Sequence, residues 1–213
     1  MSKIAKFTFN PFQENTYVLY DESNECIIID PGCSNARENA ELSDFIDQNN
    51  LKPVKLINTH CHVDHVLGNL FVAEKYGLEL GIHKDELQVL QAVPEYGKML
   101  GLNITAQKEA DYFIAPGEKI VFGKGTELDV LYTPGHTPGE ISFYNKKDGY
   151  VIAGDVLFFQ SIGRTDLPGG DYNTLIESIK RELLPLPDTT VVYCGHGPDT
   201  TIGQERMSNP FLN

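Results

Sequence analysis

The sequence is short of basic residues and of long apolar runs. Its 213 residues include 17 lysines and arginines against 30 aspartates and glutamates, which gives a net charge of −13. This balance argues against the broad basic surface of a nucleic-acid-binding protein and against docking on anionic membranes. No segment is long and apolar enough to cross a bilayer or to serve as a signal peptide. We therefore expect a small-molecule substrate and no nucleic-acid or membrane partner.

Cysteine is also scarce. Cys26, Cys33, Cys61 and Cys194 are scattered, and no two of them have the two-residue spacing of a metal or redox motif. Without an export signal, free thiols in a reducing compartment are expected rather than disulfides. The sequence therefore predicts a cytoplasmic location.

The chain alternates strand-like and helix-like segments in two successive rounds. We expect one domain over residues 1–213, with two packed sheets and helices outside them, because this arrangement buries such a pattern. Residues 66–76 and 173–184 are each predicted to form one helix. Residues 84–92 are predicted to form a short helix. Residues 93–107 contain Pro94 and two glycines and are expected to form a surface excursion.

Five of the six histidines lie in three short motifs, and each motif directly follows a strand-like run. The densest motif, THCHVDH at residues 59–65, places four metal-competent side chains within six residues. They could not all enter an apolar core without a large desolvation cost. His136, Asp155 and His196 follow later strands, next to glycines that let the backbone turn sharply. The pattern predicts a metal site with room for two ions.

Seven side chains in this order resemble the ligand pattern of the metallo-β-lactamase superfamily: His60, His62, Asp64, His65, His136, Asp155 and His196. The resemblance covers nearly the whole chain. It implies an α/β fold, the four-layer αββα sandwich with mixed sheets. It also implies that His60, His62 and His136 hold one metal. Asp64, His65 and His196 would hold the other, and Asp155 would bridge the two.

The resemblance thus implies two divalent metal ions as cofactors. Imidazole and carboxylate ligands favour zinc, and iron and manganese are the alternatives. Two such ions keep a small positive charge after both aspartates and a hydroxide are subtracted, so they can stabilise an oxyanion. Asp64 and Asp155 are therefore expected to be catalytic as well as metal-binding.

Within the superfamily the chain is most similar to the short bacterial relatives of glyoxalase II. Two segments carry this similarity, GRTD at residues 163–166 and the tail GQER at residues 203–206 followed by Asn209-Pro210-Phe211. The implied reaction is hydrolysis of a thioester, such as an acyl- or hydroxyacyl-glutathione, by a metal-bound hydroxide. Few residues follow His196, so we expect the C-terminal helical domain of full-length glyoxalase II to be absent.

Two other functions remain open. The same motifs resemble the iron-dependent persulfide dioxygenases, in which His60, His136 and Asp155 would hold a single ferrous ion. The third possibility is a metal-binding protein without catalysis, which the complete ligand set disfavours. The sequence leaves the oligomeric state open.

Four further residues have competing interpretations. Arg164 could bind a substrate carboxylate, but pairing with Asp166 to hold the loop is the favoured role. Asp30 could be a turn residue or could brace the ligand loop, and these are weighted equally. His83 is expected to be a surface or loop histidine. Cys61 is expected to pack inertly rather than to react.

Overall fold

The computed structural model describes residues 1–104 and 106–212, and the chain divides into two compact units. The first unit contains residues 1–114 and 121–126, and the second contains residues 115–120 and those from 127 onward. That the whole chain is a single domain stays a prediction.

The first unit contains a six-stranded sheet whose spatial order follows the chain. Its strands are β1 (Lys3–Phe9), β2 (Glu14–Tyr20), β3 (Glu25–Ile29), β4 (Lys52–Ile57), β5 (Leu80–Ile82) and β6 (Tyr112–Phe113). The pairings β1–β2 and β2–β3 are antiparallel, and those from β3 to β6 are parallel. Both β2 and β3 are buried along almost their whole length. The apolar run of β3 indicates this, whereas β2 also buries the polar residues Glu14, Asn15 and Thr16.

Four α-helices belong to the same unit: α1 (Ala36–Gln48), α2 (Val63–Val66), α3 (Asn69–Tyr76) and α4 (Leu87–Met99). The side chain of Asn35 caps α1 by accepting hydrogen bonds from the backbone of Arg37 and Glu38. The core of the unit includes Val18, Ile28 and Leu56.

The helix predicted over residues 66–76 is interrupted, because α2 ends at Val66 and α3 begins at Asn69. The reason lies at Gly68. Its N–H donates to the carbonyl of Pro31 at 2.7 Å. A Cβ at this position would clash with the Cys33 sulfur. The chain is thus drawn against the loop that follows β3, and the short α2 carries Asp64 and His65.

The surface excursion predicted over residues 93–107 is wrong in its first part. Helix α4 continues through Pro94 to Met99, although proline disfavours a helix interior. The side chains of Leu90 and Val93 are buried on one face, and Ile104 packs over Gly97. This tertiary packing outweighs the local signal of the proline. Thr105 lies outside the described residues.

Another six-stranded sheet, in the order β14-β13-β10-β9-β8-β7, has most of its residues in the second unit. The strands are β7 (Lys119–Phe122), β8 (Thr126–Tyr132), β9 (Ile141–Asn145), β10 (Tyr150–Gly154), β13 (Val191–Cys194) and β14 (Thr200–Thr201). Strand β13 runs parallel to β10, whereas β8–β9, β9–β10 and β13–β14 are antiparallel. Both sheets are therefore mixed, as predicted.

A hairpin and two helices complete this unit. The hairpin pairs β11 (Leu157–Phe158) with β12 (Ser161–Ile162). The predicted helix 173–184 is α5 (Tyr172–Ser178) followed by a π-helical turn over Ile179–Leu183, and α6 spans Ile202–Ser208. Over residues 1–104 and 106–212, we find no helix with the length and apolar character that a bilayer-spanning segment needs.

Candidate metal centre

Each predicted ligand follows the end of a strand. His60, His62, Asp64 and His65 come after β4, His136 after β8, Asp155 after β10, and His196 after β13. In the first unit β3 and β4 are parallel, so their carboxyl ends place Asp30 beside the histidine motif. In the second unit β10 and β13 are parallel, so their carboxyl ends place Asp155 and His196 beside each other. Carboxyl ends of parallel strands are a common location for ligand sites.

In the first unit the donors of the histidine motif lie close together. The buried rings of His60 and His65 have centroids 4.1 Å apart, and the half-buried ring of His62 lies 5.0 Å from that of His60. Asp30, His60 and His65 each offer a ligand atom within 4.8 Å of the others. Asp64 Oδ2 is 3.8 Å from His65 Nε2.

Asp30 organises this cluster through its carboxylate. It accepts hydrogen bonds from Thr59 N (2.7 Å), Thr59 Oγ1 (2.6 Å), Asn58 Nδ2 (3.2 Å) and His65 Nδ1 (3.2 Å). Because the Thr59 hydroxyl proton goes to Asp30, its oxygen must accept from His60 Nδ1 at 3.1 Å. In both rings Nδ1 thus carries the proton, and Nε2 is the nitrogen that would coordinate a cation. Asp30 braces the ligand loop in this structure.

Glu14 is a second buried carboxyl group beside the same histidine. Its Oε1 is 3.9 Å from His65 Nδ1, and its Oε2 accepts from the Thr16 hydroxyl at 2.9 Å. Burial raises the pKa of Glu14 well above its ordinary value, and the nearby Asp30 carboxylate raises it further. Gly32 is required here, because a Cβ would clash with Glu14 Oε2.

Glu86 holds the ligand loop from another side. It is fully buried, and its Oε2 accepts from the backbone N–H of Cys61 at 2.8 Å, between His60 and His62. The Cys61 side chain is also fully buried, and burial raises the pKa of its thiol well above the ordinary value. Cys61 therefore stays protonated and is not the nucleophile.

His83 was expected to be a surface or loop histidine; it lies in a loop but is buried rather than at the surface. This histidine is 4 % exposed and precedes the turn Lys84–Glu86, where its Nδ1 accepts from the Asp85 backbone at 3.3 Å. Burial lowers the pKa of His83 below its ordinary value. Its side chain caps the turn that contains Glu86. The one feature of the sequence that could have indicated this role is the position of His83 directly after strand β5.

In the second unit two predicted ligands, His136 and His196, converge on one carboxylate oxygen of a third, Asp155. Asp155 Oδ2 is 3.5 Å from His136 Nε2 and 3.5 Å from His196 Nε2. These distances exceed the roughly 2.7–2.9 Å of a charge-assisted hydrogen bond. They match two donors on one tetrahedral zinc, which lie about 3.3–3.6 Å apart when each bond is about 2.0–2.2 Å. The residues present therefore fit a bound divalent metal ion.

The loop that follows β12 fixes the His136 ring. The carbonyl of Arg164 accepts a hydrogen bond from His136 Nδ1 at 2.7 Å, so Nε2 is the nitrogen that faces Asp155. A Cβ on Gly163 would clash with the Asp155 carbonyl. The exposed Arg164 guanidinium forms a bidentate pair with Asp166, with both N–O distances at 2.7 Å. The structure therefore contains the Arg164–Asp166 pair that the sequence favoured.

Glu140 fixes the position of Asp155. It is fully buried, and its Oε1 accepts from the Asp155 backbone N–H at 2.7 Å. Sequence reasoning missed Glu14, Glu86 and Glu140. The available signal was an acidic residue at the start of β2 or just before β9, each followed by an apolar run. That pattern alone does not distinguish a buried carboxyl group from a solvated one.

Comparisons with known proteins identify relatives over almost the whole chain. The family model of the metallo-beta-lactamase superfamily matches residues 9–196. The hydroxyacylglutathione hydrolase GloC of Haemophilus influenzae is 41% identical over 204 residues, which cover 95% of this chain and 94% of that protein. The probable metallo-hydrolase YqgX of Bacillus subtilis is 38% identical over 213 residues, which cover 99% and 98% of the two chains.

Two solved structures give the same result. The BLEG-1 B3 metallo-beta-lactamase has a TM-score of 0.89 at 39% identity and covers 100% of both chains. TTHA1623 in a di-iron-bound form has a TM-score of 0.87 at 35% identity and covers 98% of this chain and 100% of that one. The fold class predicted from the sequence, an α/β protein of this type with mixed sheets, is confirmed.

Proposed function

Because the chain belongs to the metallo-β-lactamase superfamily and is a metal-dependent hydrolase, we propose that its substrates are thioesters of small thiols. The acyl group is a simple acyl or hydroxyacyl unit, as in a hydroxyacylglutathione. The similarity to a hydroxyacylglutathione hydrolase over 95% of the chain supports this substrate class.

The observation that carries the hydrolytic part of the proposal is the position of Asp155 Oδ2, 3.5 Å from both His136 Nε2 and His196 Nε2. A bound divalent ion supplies an acidified water molecule and a Lewis acid for the substrate carbonyl. The ligand sharing that the family pattern implies is part of the proposal. One ion would be held by His60, His62 and His136 and the other by Asp64, His65 and His196, and Asp155 would bridge the two.

The chain's own residues prepare the ligands. Asp30 keeps the proton of His65 on Nδ1 by a direct hydrogen bond and that of His60 on Nδ1 through Thr59. The Arg164 carbonyl does the same for His136. Asp64 and Asp155 are the catalytic carboxylates in this proposal, because they hold the cations and orient the attacking water.

Thioesters suit this site because the departing thiolate has a conjugate-acid pKa of only about 8.5 and needs no dedicated proton donor. A covalent route through cysteine is disfavoured. Burial raises the pKa of Cys26 and Cys33 to about 12 and that of Cys61 well above its ordinary value.

We propose two divalent ions per chain, with zinc favoured by the imidazole and carboxylate donors. Iron is the alternative, and the similarity to a protein solved in a di-iron-bound form supports it. All four cysteines are buried free thiols, which suits a reducing compartment such as the cytoplasm. A small-molecule substrate, without nucleic-acid or membrane partners, suits the net charge of −13.

The decisive experiment compares turnover of a hydroxyacyl-glutathione thioester with that of the matching oxygen ester and of a β-lactam. The protein is loaded with zinc or with ferrous iron and then stripped with a chelator. We expect the thioester to be hydrolysed faster than the other two. The activity should disappear with the metal and return when the metal is restored.

Each alternative has its own outcome. Turnover of the β-lactam with an inert thioester would contradict the proposed substrate class. Oxygen uptake on a persulfide by a protein with one iron would identify a dioxygenase. Full metal loading without turnover of any substrate would identify a metal-binding protein without catalysis.

A further inference from the structure

The C-terminal segment contains a motif whose role the proposed hydrolysis does not explain. Thr200, Glu205 and Asn209 have 7%, 0% and 0% of their surface exposed although they lie near the end of the chain. We call these three residues the tail clamp. The segment around them was noticed in the sequence only for its similarity to glyoxalase II relatives.

The tail clamp is a closed hydrogen-bond network around one carboxylate. Glu205 Oε1 accepts from Thr200 Oγ1 at 2.5 Å, and Oε2 accepts from Asn209 Nδ2 at 2.8 Å. Oε2 also accepts from the backbone N–H of Gln160 at 2.9 Å. Asn209 Nδ2 in addition donates to the carbonyl of Ser161 at 3.0 Å. Buried bonds to a charged group are among the most costly to remove.

Both hairpin contacts fall at the turn between β11 and β12. Phe158 pairs with Ser161 across this turn, and Gln160 adopts a left-handed conformation with φ of 52°. A non-glycine residue holds such a conformation only when its surroundings stabilise it. The bond from Gln160 N–H to Glu205 supplies that stabilisation.

The hairpin and the two residues that follow it, Gly163 and Arg164, lie against the three predicted ligands of the second unit. Strand β11 begins two residues after Asp155, and β12 leads into Gly163, which packs against the Asp155 carbonyl. The backbone carbonyl of the next residue, Arg164, accepts a hydrogen bond from His136 Nδ1. The Phe158 ring lies edge-on to the His196 ring, with centroids 6.4 Å apart.

We infer that Glu205 and Asn209 are positioning residues for the metal ligands of the second unit. They fix the hairpin turn, and the hairpin fixes His136, Asp155 and His196. The inference rests on the metal site proposed above.

The test uses Glu205→Gln and Asn209→Ala in the full chain. Met207→Ala is the matched control, because Met207 lies on the same helix and is 78% exposed. Chelator competition measures the affinity for Zn²⁺, and the visible spectrum of the Co²⁺-loaded protein reports ligand geometry. We expect both clamp variants to bind Zn²⁺ about three- to tenfold more weakly, somewhat less than the 10–100-fold loss for residues that contact ligands directly. Their Co²⁺ spectra should change, and those of Met207→Ala should not.

A clamp that merely stabilises the fold would give a different result. The melting temperature of the metal-free variants would fall, but folded variants would keep the parent's Co²⁺ spectrum and Zn²⁺ affinity. That outcome would overturn the inference.

A second measurement needs no variant. Hydrogen exchange at the Gln160 amide is compared with and without Zn²⁺, and the Ser23 amide, which donates to Asp21 in the first unit, is the reference. Because coupling is reciprocal, metal should protect Gln160 more than Ser23, and equal protection contradicts the inference. A parent protein that binds no metal would instead refute the proposed function, so the two failures are distinguishable.

Discussion

The two units provide the proposed metal ligands in contrasting ways. In the first unit four candidate ligands lie within six residues, and buried side chains such as Asp30 and Glu86 hold their loop. In the second unit His136, Asp155 and His196 come from the ends of three different strands. Their positions depend on a backbone carbonyl, a glycine contact and the hairpin. A ligand set from one short segment is organised locally, whereas a dispersed set depends on tertiary structure.

The variant with the largest expected effect tests the candidate ligands that are far apart in the sequence, His136, Asp155 and His196. Asp155→Ala removes the oxygen that lies 3.5 Å from two histidine nitrogens. We expect metal affinity and hydrolysis to fall by more than about a hundredfold, because even residues that only orient ligands can cost 10–100-fold. Elemental analysis and steady-state kinetics measure the two quantities. Asp129→Ala, at a half-buried carboxylate of the same unit, is the control. Turnover retained in Asp155→Ala would refute the assignment.

The next prediction tests the candidate ligands that lie close together in the sequence, at residues 60–65. Asp30→Asn keeps the size of the side chain and tolerates the left-handed backbone at this position, where φ is 50°. It replaces an anion that accepts four hydrogen bonds. We expect metal affinity to fall by about 10–100-fold, measured by chelator competition. Asp44→Asn on the exposed face of α1 should leave the affinity unchanged. If Asp30→Asn also left the metal affinity unchanged, the segment that contains the ligands would not need the hydrogen bonds to Asp30.

A pH titration compares how acid affects the stability of the two units. Burial alone would raise the pKa of Asp21 in the first unit, but hydrogen bonds from Ser23, Lys124 and Thr126 outweigh it and lower the pKa to about 2. The folded pKa is below the unfolded one, so this stabilisation is present above about pH 4 and is lost as the pH falls toward 2. The Lys124 amide donates to Asp21 at 2.8 Å. Its protection factor, the intrinsic exchange rate at each pH divided by the observed rate, should therefore fall over that range.

The control for this titration is Asp21→Asn, which should lack the acid-dependent step. Asp166 in the second unit also has its pKa lowered to about 2, through its hydrogen bond with Arg164. Its side chain is 67% exposed, so acid should affect stability less there. A parent protein whose Lys124 amide has the same protection factor at pH 5 and pH 2.5 would contradict the role of Asp21.

The smallest expected effect concerns Arg164. Its backbone carbonyl orients His136, and any substitution keeps that atom. Its guanidinium pairs with Asp166 at the surface, where ion pairs contribute little. Arg164→Ala should therefore change kcat and KM by less than about threefold. Asp166→Asn breaks the same pair and should behave alike. An increase in KM confined to Arg164→Ala would show instead that Arg164 binds substrate.

The same contrast explains what the sequence could predict. The motif at residues 59–65 was identifiable because its ligands are contiguous, and its placement at the start of α2 followed from the strand before it. The dispersed candidates were singled out by their positions after strand-like runs and next to glycines, and the family resemblance joined them to the first motif. The bracing residues Glu86 and Glu140 were missed, because their hydrogen bonds join segments 25 and 15 residues apart. Local periodicity also failed at Pro94, where packing continues the helix.

The most direct test of the central claim is the metal content of the protein purified without added ions. Elemental analysis should find two divalent ions per chain, zinc or iron, and fewer than one in Asp155→Ala. A parent chain that contains no metal and takes none up from zinc or ferrous solutions would contradict the account.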